Sequence, residues 1–489
     1  MARDELILAG IGASAGGLEA IERFFAAVSP QPRVSYAVVQ HLAPDHHSRM
    51  AELLSPYTSL PVREVEDGQL IEPQTIHLLP RKANMTVFNG RLFLADPEPG
   101  LNLPIDIFFR SLAETYGDRA AAVVLSGTGS DGARGVRAVK DAGGLVLVQS
   151  SASATFDGMP ESAIQTGIVD QVLAPEEMPA AIMRFAQGRS RLARVTEATH
   201  PDEDTALSRI LLLLKEHRGI DLSTYKPGTI IKQVERRMAV LGTASLDEYL
   251  TYLQRHQLEV GALFKDILIG VTSFFRDPDS FEALQTQTLP QLVRDAGPDR
   301  PLRIWVPACS SGEEAYSVAI LIAEYLEEHD LELPVRIFAT DVDRDAIRTA
   351  SAGIYPESIA ADASAGRMRR YLTPHQGAYQ VAPGIREWIV FARHNAITDP
   401  PFRRMDLISC RNLLIYLRPE VQQQVLANFA FAIRPGGWLF LGDSETVGDY
   451  TRSFQSPDVR WKIFQHTAHD SASDGSSGGR EPAAAPEPP

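Results

Sequence analysis

The chain has 489 residues, 44% of them hydrophobic and 22% charged, and a formal net charge of −15. That length exceeds what one core can serve and asks for two or three domains, while the acidic balance argues against a nucleic-acid binder. Two cysteines, Cys309 and Cys410, exclude a disulfide framework; with no apolar signal segment at Met1 and no run long enough to cross a bilayer, the expectation is a cytoplasmic protein without membrane insertion.

Residues 1–187 alternate between strand-like and helix-like sequence. The β-rich runs Glu5–Gly10, Val34–Gln40, Thr75–Leu79, Ala121–Leu125 and Leu145–Gln149 are separated by helical stretches such as Leu18–Ala27 and Gly135–Ala142. This predicts an α/β domain with a doubly wound, mostly parallel sheet. Asn89-Gly90 between two apolar runs predicts a hairpin. Polar residues 188–206 read as a linker. Residues 207–285 show only helical periodicity, through Leu207, Ile210, Leu211 and Leu214, and predict a small helical domain. A second strand–helix alternation occupies 286–467, with strands at Arg303–Pro307, Val335–Thr340, Ile389–Ala392, Asp406–Ser409 and Trp438–Gly442. It predicts a second α/β, Rossmann-like domain. The Ser-, Gly- and Pro-rich tail 468–489 cannot bury a core and is expected to be disordered.

The first strand runs into Gly10-Ile-Gly12-Ala-Ser14-Ala-Gly16-Gly17, a glycine turn with a serine at its tip. A dinucleotide loop has similar glycines, but its second strand should end in an acid that holds a ribose. Here that strand ends at His41, which disfavours a nicotinamide enzyme. A later apolar strand leads into Leu125-Ser-Gly-Thr-Gly129-Ser-Asp131-Gly-Ala. Taken singly, Ser14 and Asp131 also suit helix caps and His41 an edge histidine. Together at three strand ends they suit a nucleophile, a base and an acid that orients the base.

These three motifs resemble the catalytic domain of the chemotaxis protein-glutamate methylesterases over about 1–187. The resemblance implies Ser14 as nucleophile, His41 as base and Asp131 as its orienting acid. Ala15 and Thr128 stand where that family often has threonine and methionine. The family's phospho-receiver domain has no room before a strand starting at residue 5. Control is therefore expected from substrate occupancy, a partner in trans or contact between modules.

In the second α/β region a strand runs into Ala308-Cys-Ser-Ser-Gly312-Glu313-Glu314, and the next strand ends at Asp341, which can accept from both ribose hydroxyls of an adenosyl ligand. Met405-Asp-Leu-Ile-Ser-Cys-Arg-Asn412-Leu413-Leu-Ile-Tyr416 follows, then Ile433-Arg-Pro-Gly-Gly-Trp. With Gly270-Val-Thr272-Ser-Phe274-Phe275-Arg276-Asp-Pro upstream, residues 205–467 resemble the chemotaxis receptor glutamate methyltransferases. By that resemblance Thr272, Arg276, Glu314, Asp341, Asn395, Ala396, Asn412 and Leu413 line a pocket for S-adenosylmethionine, with Glu313 an adjacent candidate. Arg276 and Tyr416 would lie near the methyl and the substrate. Gly270 stands where the family commonly has asparagine.

Lys232, Arg236 and Arg237 form a basic face on a predicted helix. A basic face of this kind is either solvated or, as the resemblance implies, docks the acidic methylation helices of a receptor. No metal site is expected. The combined expectation is a bifunctional enzyme that esterifies receptor glutamates and hydrolyses the esters, acting at membrane-bound receptors. The same acyl chemistry would permit glutamine deamidation. The competing expectation is a non-catalytic scaffold that binds receptors.

Overall fold

Seven consecutive small or apolar residues, Ile7–Ala13, make a strand buried along its whole length (β1). Such a strand needs cover on both faces. In the computed structural model, which describes residues 6–29, 33–40, 50–97, 102–195, 201–270, 272–296, 300–456 and 458–467, β1 lies at the centre of a seven-stranded sheet. His41 and the tail 468–489 fall outside the described residues.

The other strands are β2 (Val34–Gln40), β3 (Val62–Glu64), β4 (Ile76–Leu78), β5 (Ala120–Val124), β6 (Leu145–Gln149) and β7 (Gln171–Leu173). Their order is β7-β6-β5-β1-β2-β4-β3, and every pairing is parallel. Alternate residues of β1 feed opposite cores. Ile7, Ala9 and Ile11 pack with Phe24 and Phe25 of α1 (Gly17–Ala26). Leu8 packs with Phe108, Phe109 and Leu112 of α2 (Pro104–Tyr116). The predicted hairpin forms between Asn84–Phe88 and Arg91–Ala95, with Asn89 and Gly90 both left-handed (φ 48° and 72°), as a type I′ turn requires. Helices α3 (Gly135–Asp141) and α4 (Gly158–Gln165) follow β5 and β6.

The segment expected to link the domains is mostly helical. Most of 188–206 belongs to two helices, α5 (Met178–Val195) and α6 (Pro201–Arg218). The first turns of α5 bury Ala181, Ile182 and Phe185, so the helix is anchored before its polar end begins. Three further helices follow: α7 (Pro227–Leu241), α8 (Leu246–Arg255), whose Ser245 Oγ caps Glu248 N, and α9 (Gln257–Leu268).

The chain divides into two compact units. The first combines Met1–Gly219 with Ile230–Ile269, so α7 to α9 belong with the first sheet rather than with the second α/β domain. Ala239 and Val240 of α7 lie in the same core as β1 and α5, and a Cβ at Gly188 of α5 would stand 2.7 Å from Ala239 Cα. The close approach of the two helices needs that glycine.

The second unit contains a sheet of β8 (Leu302–Pro307), β9 (Val335–Asp341), β10 (Ile389–Arg393), β11 (Met405–Cys410), β12 (Ile433–Leu441), β13 (Phe454–Gln455) and β14 (Ile463–His466). The order is β10-β9-β8-β11-β12-β14-β13; the first five strands are parallel and the last two pair antiparallel. Helices α10 (Glu313–Glu328), α11 (Arg344–Ala352) and α12 (Pro419–Ala432) connect them. In each sheet the order reverses beside one strand, at β1 and at β8. Crevices at the carboxyl ends of such strands are where doubly wound folds bind ligands. No described helix is long and apolar enough to cross a membrane.

Candidate active sites

Ser14 follows the last residue of β1, Ala13, whose register partner is Gln40 of β2, the residue before His41. The Ser14 amide donates to Ser126 O at 3.0 Å, which joins the serine turn to the loop after β5. A Cβ at Gly127 would fall 3.0 Å from Ser14 Cβ and 2.2 Å from Met159 Sδ, so only glycine lets this loop press against the serine. Gln149, buried at the end of β6, accepts the Ser126 amide at 2.8 Å. Helix α1 begins after Gly16 (φ 68°), with no side-chain cap among the described residues. Its first amides are suited to an oxyanion.

Asp131 lies on the same loop. Its Oδ2 accepts the Ile105 amide at 3.0 Å and its Oδ1 the Asp106 amide at 2.9 Å. It therefore caps α2, not the helix that follows it. The Gly132 amide also bonds this carboxylate, whose roughly four acceptor positions leave one for an imidazole. Burial pushes the carboxyl up to about 6, while the amide donors pull it down. The structure thus brings Ser14 and Asp131 to the ends of the adjacent strands β1 and β5.

In the second unit the turn after β8 carries positive φ at Ala308 (53°), Ser310 (48°) and Gly312 (99°). Two of these are non-glycine residues in a costly conformation, which clusters at functional sites. Asp341 at the end of β9 holds the turn: its Oδ2 accepts Ser310 N at 2.9 Å, and its Oδ1 accepts Asp343 N at 2.9 Å. It stays partly exposed, and burial raises its carboxyl above the ordinary value. Ser310 Oγ donates to Gly270 O at 2.6 Å, tying in the segment that carries Thr272 and Arg276.

Glu314, in the first turn of α10, accepts from Ser409 Oγ at 2.6 Å and from Arg411 Nη1 at 3.1 Å. Arg411 also pairs with Asp277 at 2.7 Å and lies over the rings of Phe281 and Phe440. One guanidinium therefore joins the Thr272–Asp277 segment, α10 and the end of β11. Asn395 and Ala396 follow β10, where Asn395 Oδ1 accepts Ile397 N at 3.0 Å. Asn412 adopts φ 60° and leads to Leu413 and Tyr416. The Tyr416 carbonyl accepts from Lys226 N at 2.8 Å.

One sequence-based assignment is corrected, and Glu313 has a structural partner. Glu313 is buried (2% exposed) and accepts from Ser311 Oγ at 2.7 Å. That bond and its place in the first turn make it a stabiliser of the helix start. Arg236 and Arg237 are not a surface docking face, being 5% and 4% exposed. Arg236 donates to Gly144 O at 2.6 Å and pairs with Asp170 and Asp266. Arg237 pairs with Glu259 and Asp170. Of the three basic residues only Lys232 is exposed.

Sequence reasoning missed Glu445. It is 2% exposed and accepts the amides of Gly442 (2.7 Å), Asn412 (2.9 Å), Leu414 (2.7 Å) and Ile415 (3.4 Å). Its only signal was an acid three residues beyond a strand. Tyr225 was also missed; its buried hydroxyl feels the charge of both Asp341 and Tyr416. Among the described residues no group of His, Cys, Asp and Glu could hold a metal.

Comparison with known proteins agrees with this arrangement. The chain matches the CheB methylesterase family over 9–182, the all-alpha domain of CheR methyltransferase over 205–268 and its SAM binding domain over 270–463. It is 42% identical over 438 residues to an uncharacterized 104.1 kDa protein in the hypE 3′ region of Rhodobacter capsulatus, covering 85% of this chain and 46% of that relative. The chain thus spans less than half of that protein's length. It is 31% identical over 247 residues to a chemotaxis protein methyltransferase of Listeria monocytogenes, covering 50% of this chain and 92% of the relative. Against chemotaxis protein methyltransferase 1 of Pseudomonas aeruginosa it is 32% identical over 253 residues, 50% of this chain and 91% of the relative. The CheB methylesterase catalytic domain of Thermotoga maritima, a solved structure, is 28% identical with a TM-score of 0.34, covering 36% of this chain and 97% of that one. The chain belongs to the chemotaxis protein methyltransferase family and carries a CheB methylesterase domain as well, so that an S-adenosylmethionine-dependent O-methyltransferase and a hydrolase share one polypeptide.

Proposed function

We propose that this chain esterifies glutamate side chains of a chemotaxis receptor, or of a similar signalling protein, and hydrolyses the same esters. The observation that carries the proposal is that each large sheet has functional-type residues where the order of its parallel strands reverses. Ser14 and the Asp131 loop sit at β1 and β5, and the Asp341-held turn sits at β8.

For ester cleavage, His41 takes the proton of Ser14 as Oγ attacks the ester carbonyl. Asp131 holds the imidazole and stabilises its charged form. Amides at the start of α1 hold the oxyanion. Methanol leaves with the proton from His41, and water then releases the glutamate carboxylate by the same route. A glutamine amide in place of the ester would release ammonia, which is the deamidase activity.

For ester formation the donor set fits an adenosyl ligand. Asp341 spends acceptor positions on the Ser310, Asp343 and Val342 amides, and what remains of the roughly four on a carboxylate is available to a ribose hydroxyl. Thr272, Arg276, Glu314, Asn395, Ala396, Asn412 and Leu413 would complete the pocket. When bound, S-adenosylmethionine supplies an electrophilic sulfonium methyl. A glutamate carboxylate is already ionised near neutral pH, so no base is needed. Arg276 orients that carboxylate through a charge-assisted hydrogen bond, and Tyr416 borders it. The receptors concerned are membrane-bound; the chain meets them from the cytoplasm without inserting.

The test is incubation of the chain with tritiated S-adenosylmethionine and a receptor cytoplasmic fragment, followed by collection of volatile label. Base-labile label on the fragment that later appears as methanol supports both reactions. Binding to the fragment with neither label nor methanol would leave a scaffold.

A further inference from the structure

Asp106 lies in the first turn of α2 and is 1% exposed. Its Oδ1 accepts the amides of Arg134 at 3.0 Å and Gly135 at 2.6 Å, where α3 begins. Asp131, just before α3, accepts the amides of Ile105 and Asp106, where α2 begins. Each aspartate thus caps the helix that starts beside the other. The contacts around this crossed pair are too close for added atoms. A Cβ at Gly132 would stand 3.1 Å from Ile105 Cγ2, and one at Gly135 would stand 2.5 Å from Phe109 Cβ. On the other side, a Cβ at Gly12 would stand 2.4 Å from the same Ile105 Cγ2. Ile105 is therefore wedged between the strand two residues before Ser14 and the residue after Asp131.

We propose that Asp106 is a positioning residue for ester cleavage: its bonds to Arg134 and Gly135 fix the Asp131 carboxylate relative to Ser14. The inference rests on the assignment of Asp131 to the site. The electrostatics agree with it. Burial raises both carboxyls, and the charge of Asp131 raises Asp106 further. Two carboxyls this close favour a shared single charge. Among the described residues Asp106 Oδ2 is buried without a hydrogen-bond partner and Oδ1 is the acceptor for both amides, so a proton on Asp106 belongs on Oδ2. Asp131 then remains the anion that an imidazolium requires.

The experiment measures kcat and KM of the full-length chain for methanol release from a helical peptide carrying glutamate γ-methyl esters. Asp106→Ala should lower kcat about 10²-fold, the cost of a misplacement on the order of 1 Å, with KM little changed. Asp106→Asn keeps Oδ1 and should recover most of the loss, which a purely structural role would not predict for kcat per folded molecule. A folded Asp106→Ala with wild-type kcat, or an Asp106→Asn as slow as Asp106→Ala, overturns the inference. If Asp106→Ala does not fold, Asp106→Asn is compared with Asp106→Glu, whose longer arm moves the acceptor. A higher kcat for Asn supports the inference, and equal values overturn it. Asp131→Ala is run alongside: wild-type kcat there removes Asp131 from the site altogether, whereas loss there with no loss at Asp106 removes only the positioning role.

Discussion

Asp170→Ala tests how α7 is held to the first sheet. The Asp170 side chain is fully enclosed and meets Lys140 Nζ at 2.7 Å, Arg236 at Nη1 and Nη2, and Arg237 Nη1 at 3.1 Å. It also accepts the Val146 amide at 2.9 Å. Asp266 and Glu259 complete a cluster in which three cations face three carboxylates. Removing Asp170 leaves three cations, two of them buried, for two anions and orphans one amide. Breaking a buried pair from one side costs roughly 3–5 kcal/mol, and a separate charge for the orphaned amide is not additive with that. At about 2–4 °C per kcal/mol for a unit of this size, the transition should fall by about 10 °C. Trp305, Trp388, Trp438 and Trp461, the only tryptophans, all lie in the second unit, so their fluorescence is blind to the first. Circular dichroism should show the early transition of the first unit while tryptophan emission keeps its wild-type midpoint. The cations hold the Asp170 carboxyl well below the usual aspartate range. Its stabilisation is therefore present above the unfolded value near pH 4 and is lost as pH falls through the depressed folded value. A shift under 2 °C, or an equal fall in both signals, would refute the reasoning.

Ser14→Ala should lower ester hydrolysis by about 10⁴- to 10⁶-fold in kcat and leave transfer of tritiated methyl to the receptor fragment intact; unchanged methanol release would discard the serine. Asp341→Ala removes a charged acceptor and should weaken S-adenosylmethionine binding by about 10- to 150-fold, or roughly 1.5–3 kcal/mol; calorimetry giving the wild-type Kd would place the ribose elsewhere. Glu445→Ala leaves four backbone amides without their acceptor, each worth about 1–3 kcal/mol if left unsatisfied. It should lower the tryptophan-reported midpoint and weaken the cofactor together, and a variant that melted early yet bound normally would separate Glu445 from the Asn412 loop.

Strand ends were the legible part of both sites because their signals are local. An apolar run ending in Gly-Ala-Ser14 or in Asp341 announces a strand and the residue it presents, and Asn89-Gly90 announces its own φ values. What stayed hidden depends on partners far away in the chain. Asp106 acts on amides 28 and 29 residues later, and Glu445 on a loop about 30 residues earlier. Arg236 and Arg237 sit among polar neighbours at helical spacing, the pattern of a wetted face. Asp170, 66 residues upstream of Arg236, neutralises them inside the protein together with Glu259 and Asp266. The helical conformation of 188–206 was hidden for a related reason: its polar composition describes a surface, and a surface helix anchored by Phe185 has the same composition as an irregular linker.

The inward commitment of α7 changes how the two activities should be dissected. Chain truncated near residue 187 would keep Ser14 and Asp131 but lose Arg236 and Arg237, leaving Asp170 with Lys140 as its one remaining cation of three. It would also uncover the core face now filled by Ala239 and Val240. An ester-cleaving fragment ending there is therefore expected to be less stable for reasons unrelated to control, and a changed rate in it cannot by itself be read as regulation. A fragment carried to Ile269 keeps the whole charge cluster. If cleavage in that longer fragment matches the full chain while the shorter one loses activity in step with its melting transition, α7 to α9 act as structural support for the hydrolase. If the longer fragment is faster than the full chain at equal stability, the second unit restrains the first, and module-to-module control is the right account.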